Sequence, residues 1–115
     1  MQPIYTIITA ENVKVPILVC IPHCGRAFPS DIKEHYKDAL VTHPDDTDFY
    51  VDQLYDFLPK LGITTIIARY NRWVIDLNRS PLNQALYNDG RIITNLTPTT
   101  NFSGMPIYKL SLIHI

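Results

Sequence analysis

One histidine and a scatter of acids carry the chemistry this sequence offers. His23 stands in Pro22-His23-Cys24-Gly25, directly after five consecutive apolar residues, Ile17 to Ile21. A short apolar run with neither alternation nor a 3.6-residue period fits a strand buried on both faces, as in a parallel sheet. Pro22 has no N–H to give to a ladder, so the strand ends there and His23 is the first side chain beyond it. Open α/β sheets bind ligands at the carboxyl ends of their strands. An imidazole at that place suits ligand chemistry, and equally a hydrogen bond to a neighbouring loop. Asp45, Asp46 and Asp48 follow, just ahead of an apolar stripe. Capping and the helix dipole account for Asp45 and Asp46, but a third acid so close exceeds that need, because like charges repel. Asp48 and Asp52 are four apart and share a helix face. Farther on, Asp76 interrupts the apolar run of Arg72-Trp73-Val74-Ile75-Asp76-Leu77. A buried carboxylate must be paired or hydrogen-bonded, and Arg72 or Arg79 can do that.

The elements that would position these groups are legible in outline. Ile4 to Thr9 reads as a strand, Glu11-Asn12 as a turn, and Ile17 to Ile21 as the central strand. Ser30 is placed to cap a short helix over residues 31–40, with Asp31 in its first turn; the alternative is a partly ordered loop, since Val41 to Pro44 ends the segment quickly. Val51, Leu54, Tyr55, Leu58 and Leu61 form one apolar face of a second helix. Asp45 or Asp46 would cap its start, Gly62 would close it, and Pro59 should kink or tighten its last turn. Ile63 to Ala68 reads as a further buried strand. Strand, helix, strand in this order is a crossover unit, expected to be right-handed. Its helix begins at the sheet edge where the first strand ends, which brings the acids near His23. Arg72 to Leu77 reads as a third strand, stopped by Pro81. If Arg69 to Asn71 is a tight reversal, that strand sets Arg72 beside His23 and carries Arg79 to the opposite edge. Asn88-Asp89-Gly90 reads as a turn, 91–94 as a short strand and 97–104 as a polar loop. The fold class is α/β.

Composition narrows the function. A chain of 115 residues is one domain or part of one. Its residues are 46% hydrophobic and 18% charged, below the usual charged share, which fits an interior slice of a larger sheet. A net charge of -1 gives no field for nucleic acid or anionic lipid. No apolar run is long enough to span a bilayer, and the start lacks the basic and apolar regions of a signal peptide. Cys20 is expected to be buried and Cys24 to sit beside His23. Along a strand they are too far apart for a disulfide, and a zinc knuckle needs more cysteines. The expectation is a reduced, cytoplasmic protein. His35, on a short surface helix, and His43, before Pro44, are expected to face solvent.

Three segments in order, Pro22-His23-Cys24-Gly25, then Asp46-Thr47-Asp48-Phe49-Tyr50-Val51-Asp52-Gln53-Leu54-Tyr55, then Arg72-Trp73-Val74-Ile75-Asp76-Leu77-Asn78-Arg79, resemble the N-formylglutamate amidohydrolase family. The resemblance implies a mixed, largely parallel sheet flanked by helices, similar to the zinc exopeptidases (phosphorylase/hydrolase-like). This chain would be a truncated, N-terminal part of that domain. The implied reaction is zinc-dependent hydrolysis of the amide of an N-acyl amino acid. The family's substrate is N-formyl-L-glutamate, cleaved to L-glutamate and formate in histidine breakdown. Zinc or another divalent metal is the implied cofactor, and a small N-acyl amino acid the implied partner. By resemblance, His23 is the first metal ligand and Asp48, chosen over the alternatives Asp46 and Asp52, the carboxylate ligand, with Asp46, Asp52 and Asp76 otherwise behind them. Cys24 departs from the family, which usually has Ser or Ala there. Asn78 and Arg79 also resemble the Asp-Leu-Asn-Arg stretch of zinc carboxypeptidases, whose Asn and Arg hold the substrate α-carboxylate. Arg72 is the candidate for the second carboxylate, with a salt bridge to Asp76 as its alternative.

A catalytic zinc normally has three protein ligands, and the sequence supplies two. The third ligand and the general base are expected in a C-terminal half of the domain. His114 is set aside, because Leu110 to Ile115 back-translates to a transposon-end adapter of sequencing libraries. Residues 1–109 are thus expected to be the N-terminal part of a single amidohydrolase domain, inactive alone. The alternatives are a related zinc carboxypeptidase or acyl-amino-acid hydrolase, and a small non-catalytic binding domain.

Overall fold

The structure, a computed structural model, describes residues 3–82 and 95–109. The expected turn at 88–90, the strand at 91–94 and the tail 110–115, with His114, lie outside the described residues. Among the described residues three strands form a mixed sheet in the order β1-β3-β2: β1 (Tyr5–Ile8), β2 (Leu18–Ile21) and β3 (Thr64–Ala68). β1 runs antiparallel to β3, Tyr5 opposite Ala68. β2 runs parallel to β3, Leu18 opposite Thr64 and Ile21 opposite Ile67. The parallel pairing is what a strand–helix–strand unit requires.

The central strand is β3, not the Ile17–Ile21 run. β3 reads Thr-Thr-Ile-Ile-Ala, largely β-branched, and is paired along both edges. β2 has one neighbour among the described residues, and its predicted two-sided burial does not hold. Leu18 is 65% exposed, Cys20 is exposed, and only Ile21 is buried. Apolar content alone reports that a strand suits burial. It does not report how many neighbours the strand has.

The expected helix over 51–61 is two pieces: α3 (Val51–Leu54) and a 3-10 helix, Leu58–Leu61. Pro59 is the cause. A continuous helix would need its missing N–H for the Tyr55 carbonyl; that carbonyl accepts from Leu58 N instead, at 3.2 Å. Gly62 does close the 3-10 helix, at φ 88, where L side chains are disfavoured. A Cβ there would also lie 2.2 Å from the Val13 carbonyl oxygen. Neither Asp45 nor Asp46 caps α3; Tyr50 precedes it in left-handed conformation, without a side-chain cap.

The helix expected over 31–40 is likewise divided, into α1 (Ser30–Lys33) and α2 (Asp38–Thr42). Ser30 lies inside α1, and Pro29 precedes it with no side-chain cap. Between the pieces the backbone turns to a distant partner: Lys37 N donates to Ile107 O at 2.9 Å and Lys109 N to His35 O at 2.8 Å. That pairing buries Tyr36 completely. Tyr36, Trp73 and Ile107, all fully buried, form the core, with Phe28, Ile32, Leu40, Val41 and Tyr108 packed around them. Phe28 meets Tyr36 edge-on at 5.0 Å between ring centres, an arrangement the ring quadrupoles favour. The core therefore includes Trp73, in the segment that carries Arg72 and Asp76.

Residues 72–77 do not form a strand. A strand of that length would separate its ends by about 17 Å. The segment coils instead, anchored by Trp73 in the core and by Asp76 N donating to Leu96 O at 2.7 Å. This resolves the conflict over Arg72 and Arg79: both come to the same carboxylate. His43 is exposed and stacked on Phe49, and the His35 ring is half-exposed beside Glu34.

Candidate active site

The site is built where β2 ends. Beyond Pro22, His23 is buried, and its carbonyl accepts from Asp48 N at 2.9 Å. This bond ties the strand end to the segment that opens α3, as the crossover geometry predicts. The imidazole lies between two carboxylates. Nε2 is 2.6 Å from Asp76 Oδ1, and Nδ1 is 3.8 Å from Asp48 Oδ2. Asp76 is fully buried, while the Asp48 side chain is about half-exposed.

Asp76 is the hub. Its Oδ1 also accepts from Asn78 N at 2.9 Å, and its Oδ2 accepts from Arg72 Nη2 at 3.0 Å, with Arg79 Nη1 at 3.8 Å. Burial alone would raise its pKa. The His23 hydrogen bond, the Asn78 N–H and the charges of His23 and Arg72 outweigh that and hold it at about 2. Asp76 is therefore ionised, and an ionised carboxylate only accepts. The proton between it and His23 thus sits on Nε2, which leaves Nδ1 as the ring nitrogen facing the Asp48 side.

Arg72 is 6% exposed. Its guanidinium donates to Asp76 and, through Nη1 at 3.3 Å, to the Asp46 carbonyl, and it stacks over Phe102 at 4.7 Å. The salt bridge weighed as its alternative role is present. Asn78 is exposed beside Asp76, and Arg79 Nη1 donates to the Asn78 carbonyl at 3.0 Å. The Asp46 carboxylate is engaged by groups other than His23: it accepts from Trp73 Nε1 at 2.9 Å and from Phe102 N at 3.0 Å, joining three loops. Asp52 lies by Cys24 instead: burial pushes the Cys24 thiol up, and the Asp52 carboxylate adds to that. Cys24 is buried next to His23 as expected.

Sequence reasoning passed over the groups that hold this arrangement together. Asn71, fully buried, donates through Nδ2 to the Gly25 carbonyl at 3.0 Å and to the Thr47 hydroxyl at 2.7 Å. Its Oδ1 accepts from Trp73 N at 3.0 Å. One amide thus links the strand-end loop, the acidic segment and the Trp73 turn. The available signal is an asparagine three residues past the end of a β-rich strand, since its side chain satisfies backbone groups at turns. Asn101 plays a similar part, donating to Asp45 Oδ2 at 3.3 Å. Tyr50 has φ 63 and ψ 13. That conformation costs a non-glycine residue roughly 1–3 kcal/mol and persists only where its surroundings enforce it.

His23 Nδ1 and Asp48 are two donors of the kind zinc takes. On one tetrahedral zinc, two such atoms at about 2.0–2.2 Å from the metal lie about 3.4 Å apart, and the observed 3.8 Å is a few tenths of an ångström longer. The Asp76 contact is the outer-shell partner that metal-bound histidines commonly have. Among the described residues no group of three histidine, cysteine or acidic side chains converges, so these residues fit part of a zinc site.

Comparison with known proteins defines the class. The profile of the family described as N-formylglutamate amidohydrolase matches residues 15–114, and the chain belongs to that family. Among its relatives is the N-formylglutamate deformylase of Pseudomonas putida, 34% identical over 103 residues. That match covers 90% of this chain and 38% of the relative. The deformylase of Pseudomonas aeruginosa PAO1 is 36% identical over 104 residues, with the same coverage. The crystal structure of an N-formylglutamate amidohydrolase from Ralstonia eutropha JMP134 superposes with a TM-score of 0.70 at 22% identity. It covers 91% of this chain and 40% of that one, and shows a shared fold. The chain thus spans about two fifths of the length of the curated relatives it matches.

Proposed function

We propose that this chain is part of a metal-dependent amidohydrolase that removes the formyl group from N-formyl-L-glutamate, giving L-glutamate and formate. The relatives' names support the reaction, and a largely parallel, zinc-exopeptidase-like sheet is the architecture we propose for the whole domain. The observation that carries the reading is the imidazole between two carboxylates, with Asp76 fixing the tautomer and Asp48 on the open side.

In this reading His23 Nδ1 and Asp48 hold a zinc or similar divalent ion. When bound, the metal lowers the pKa of a water and polarises the amide oxygen. The chain's own residues do the rest. Asp76 keeps the Nε2 proton in place and neutralises Arg72. Asn78 and Arg79, at the same node, receive the substrate α-carboxylate, where a guanidinium fork suits a planar anion. The third ligand and the general base are assigned to the part of the relatives' length that this chain does not span. We place the reaction in the cytoplasm, in histidine breakdown. Among the described residues no helix is long and apolar enough to cross a membrane.

The test is formate release from N-formyl-L-glutamate by the full-length protein, with bound zinc measured by metal analysis. His23→Ala removes metal and turnover together, and the 115-residue chain alone releases no formate. Unchanged turnover in His23→Ala overturns the reading. Cleavage of other N-acyl amino acids without formate release moves the assignment to a related acyl-amino-acid hydrolase or carboxypeptidase.

A further inference from the structure

N-Formylglutamate carries two carboxylates, and Asn78 with Arg79 accounts for one. Arg72, the sequence's candidate for the other, is buried and holds Asp76 and the Asp46 carbonyl. The structure offers a different cation. Arg26 is exposed, three residues after His23, and its guanidinium lies 5.4 Å from the centre of the Tyr50 ring. Among the described residues it makes no ion pair.

The surroundings hold Arg26 at the site's rim. The carbonyl of Gly25 before it accepts from Asn71 Nδ2 at 3.0 Å, and Asn71 N donates to the carbonyl of Ala27 after it at 2.9 Å. Gly25 itself packs so closely that a Cβ would lie 2.5 Å from the Tyr70 carbonyl oxygen. On the other side, Tyr50 stands two residues after Asp48, whose N–H is bonded to the His23 carbonyl. Both partners of the stack are thus tied to the two proposed metal donors. Tyr50 keeps its left-handed backbone although its side chain is largely exposed, so burial of the ring does not explain the conformation. What the conformation does is set an aromatic face under Arg26. A guanidinium held over an aromatic ring by cation–π attraction is restrained in place while its edge N–H groups stay open, and those groups can bind a carboxylate through two parallel hydrogen bonds.

We propose that Arg26, ordered by Tyr50, binds the side-chain carboxylate of the substrate and sets the preference for an acidic N-formyl amino acid. This inference rests on the proposed deformylase reaction. Its test compares N-formyl-L-glutamate with the uncharged isostere N-formyl-L-glutamine in the full-length protein. In Arg26→Gln the preference for the acidic substrate falls by roughly tenfold or more, carried by KM rather than kcat. Tyr50→Leu moves it the same way by less, and Tyr50→Phe, which keeps the ring, restores the wild-type preference. Equal losses on both substrates, or an unchanged preference in Arg26→Gln, overturn the proposal. If the wild-type protein cleaves neither compound, it is the deformylase reading that fails.

Discussion

Two regions of this chain treat their side chains in opposite ways. Around Asp76 the polar groups are buried and satisfied. Four donors from His23, Arg72, Arg79 and the Asn78 backbone meet one carboxylate, and Asn71 joins three segments behind it. Along β2, α3 and the 3-10 helix the apolar groups stay open: Leu18, Leu54 and Leu61 are 65%, 68% and 60% exposed. A shallow cavity of about 380 Å³ runs between them, lined by residues that include Cys20, Val51 and Tyr55, with Asp48 at its polar end. Polar satisfaction demands short, directed contacts, which a 115-residue stretch can supply from its own loops. Covering an apolar face demands area, which the described residues do not provide. The chemistry of this region is thus arranged more completely than its hydrophobic packing.

The largest expected effect breaks the polar side of this contrast. Asp76→Ala leaves the Arg72 charge buried without its partner and His23 without its anchor, and should destabilise the protein by about 3–5 kcal/mol in denaturant unfolding. A loss below about 1 kcal/mol would mean that the hub is incidental. Acid should weaken the same hub more gently. The Asp76 carboxyl sits at about 2 when folded and 3.8 as the free side chain. A depressed carboxyl pKa contributes stability that is complete above the unfolded value and lost as pH falls toward the folded one. Between about pH 4 and pH 2 the contribution should fall by on the order of 2 kcal/mol, and the loss should vanish in Asp76→Ala. The smallest effect lies on the apolar side. Leu54→Ser should change stability by about 0.5 kcal/mol or less. It should nonetheless reduce apolar-dye binding and self-association of the 115-residue chain. A large destabilisation would show that this face is packed in solution and would erase the contrast.

Much of this was legible from residue type. The strand that ends at Pro22, the strand of Thr64–Ala68, the role of Gly62 and the need of Asp76 for a cation all follow from short-range chemistry. So does the approach of Asp48 to His23, because a crossover helix starts where its strand stops. The division of both expected helices was less legible. Pro59 announced one break, but the break at Tyr36 depends on Ile107 and Lys109, some seventy residues away. Residue type and position suit Asp46 to a cap or an outer ligand; its bonds to Trp73 and Phe102 come from elements that no local window joins.

The sequence alone decided which residues could do chemistry and that the chain would be extended near Tyr5–Ile8, Leu18–Ile21 and Thr64–Ala68, since proline, glycine, β-branching and a carboxylate in an apolar run act within a few bonds. Tertiary structure decided that β3 rather than β2 is central and that residues 72–79 coil around one carboxylate. It also decided that Tyr50 bends backward beneath Arg26. These outcomes depend on partners distant along the chain, and contact between such partners is fixed only when the whole backbone finds its hydrogen bonds and its core together.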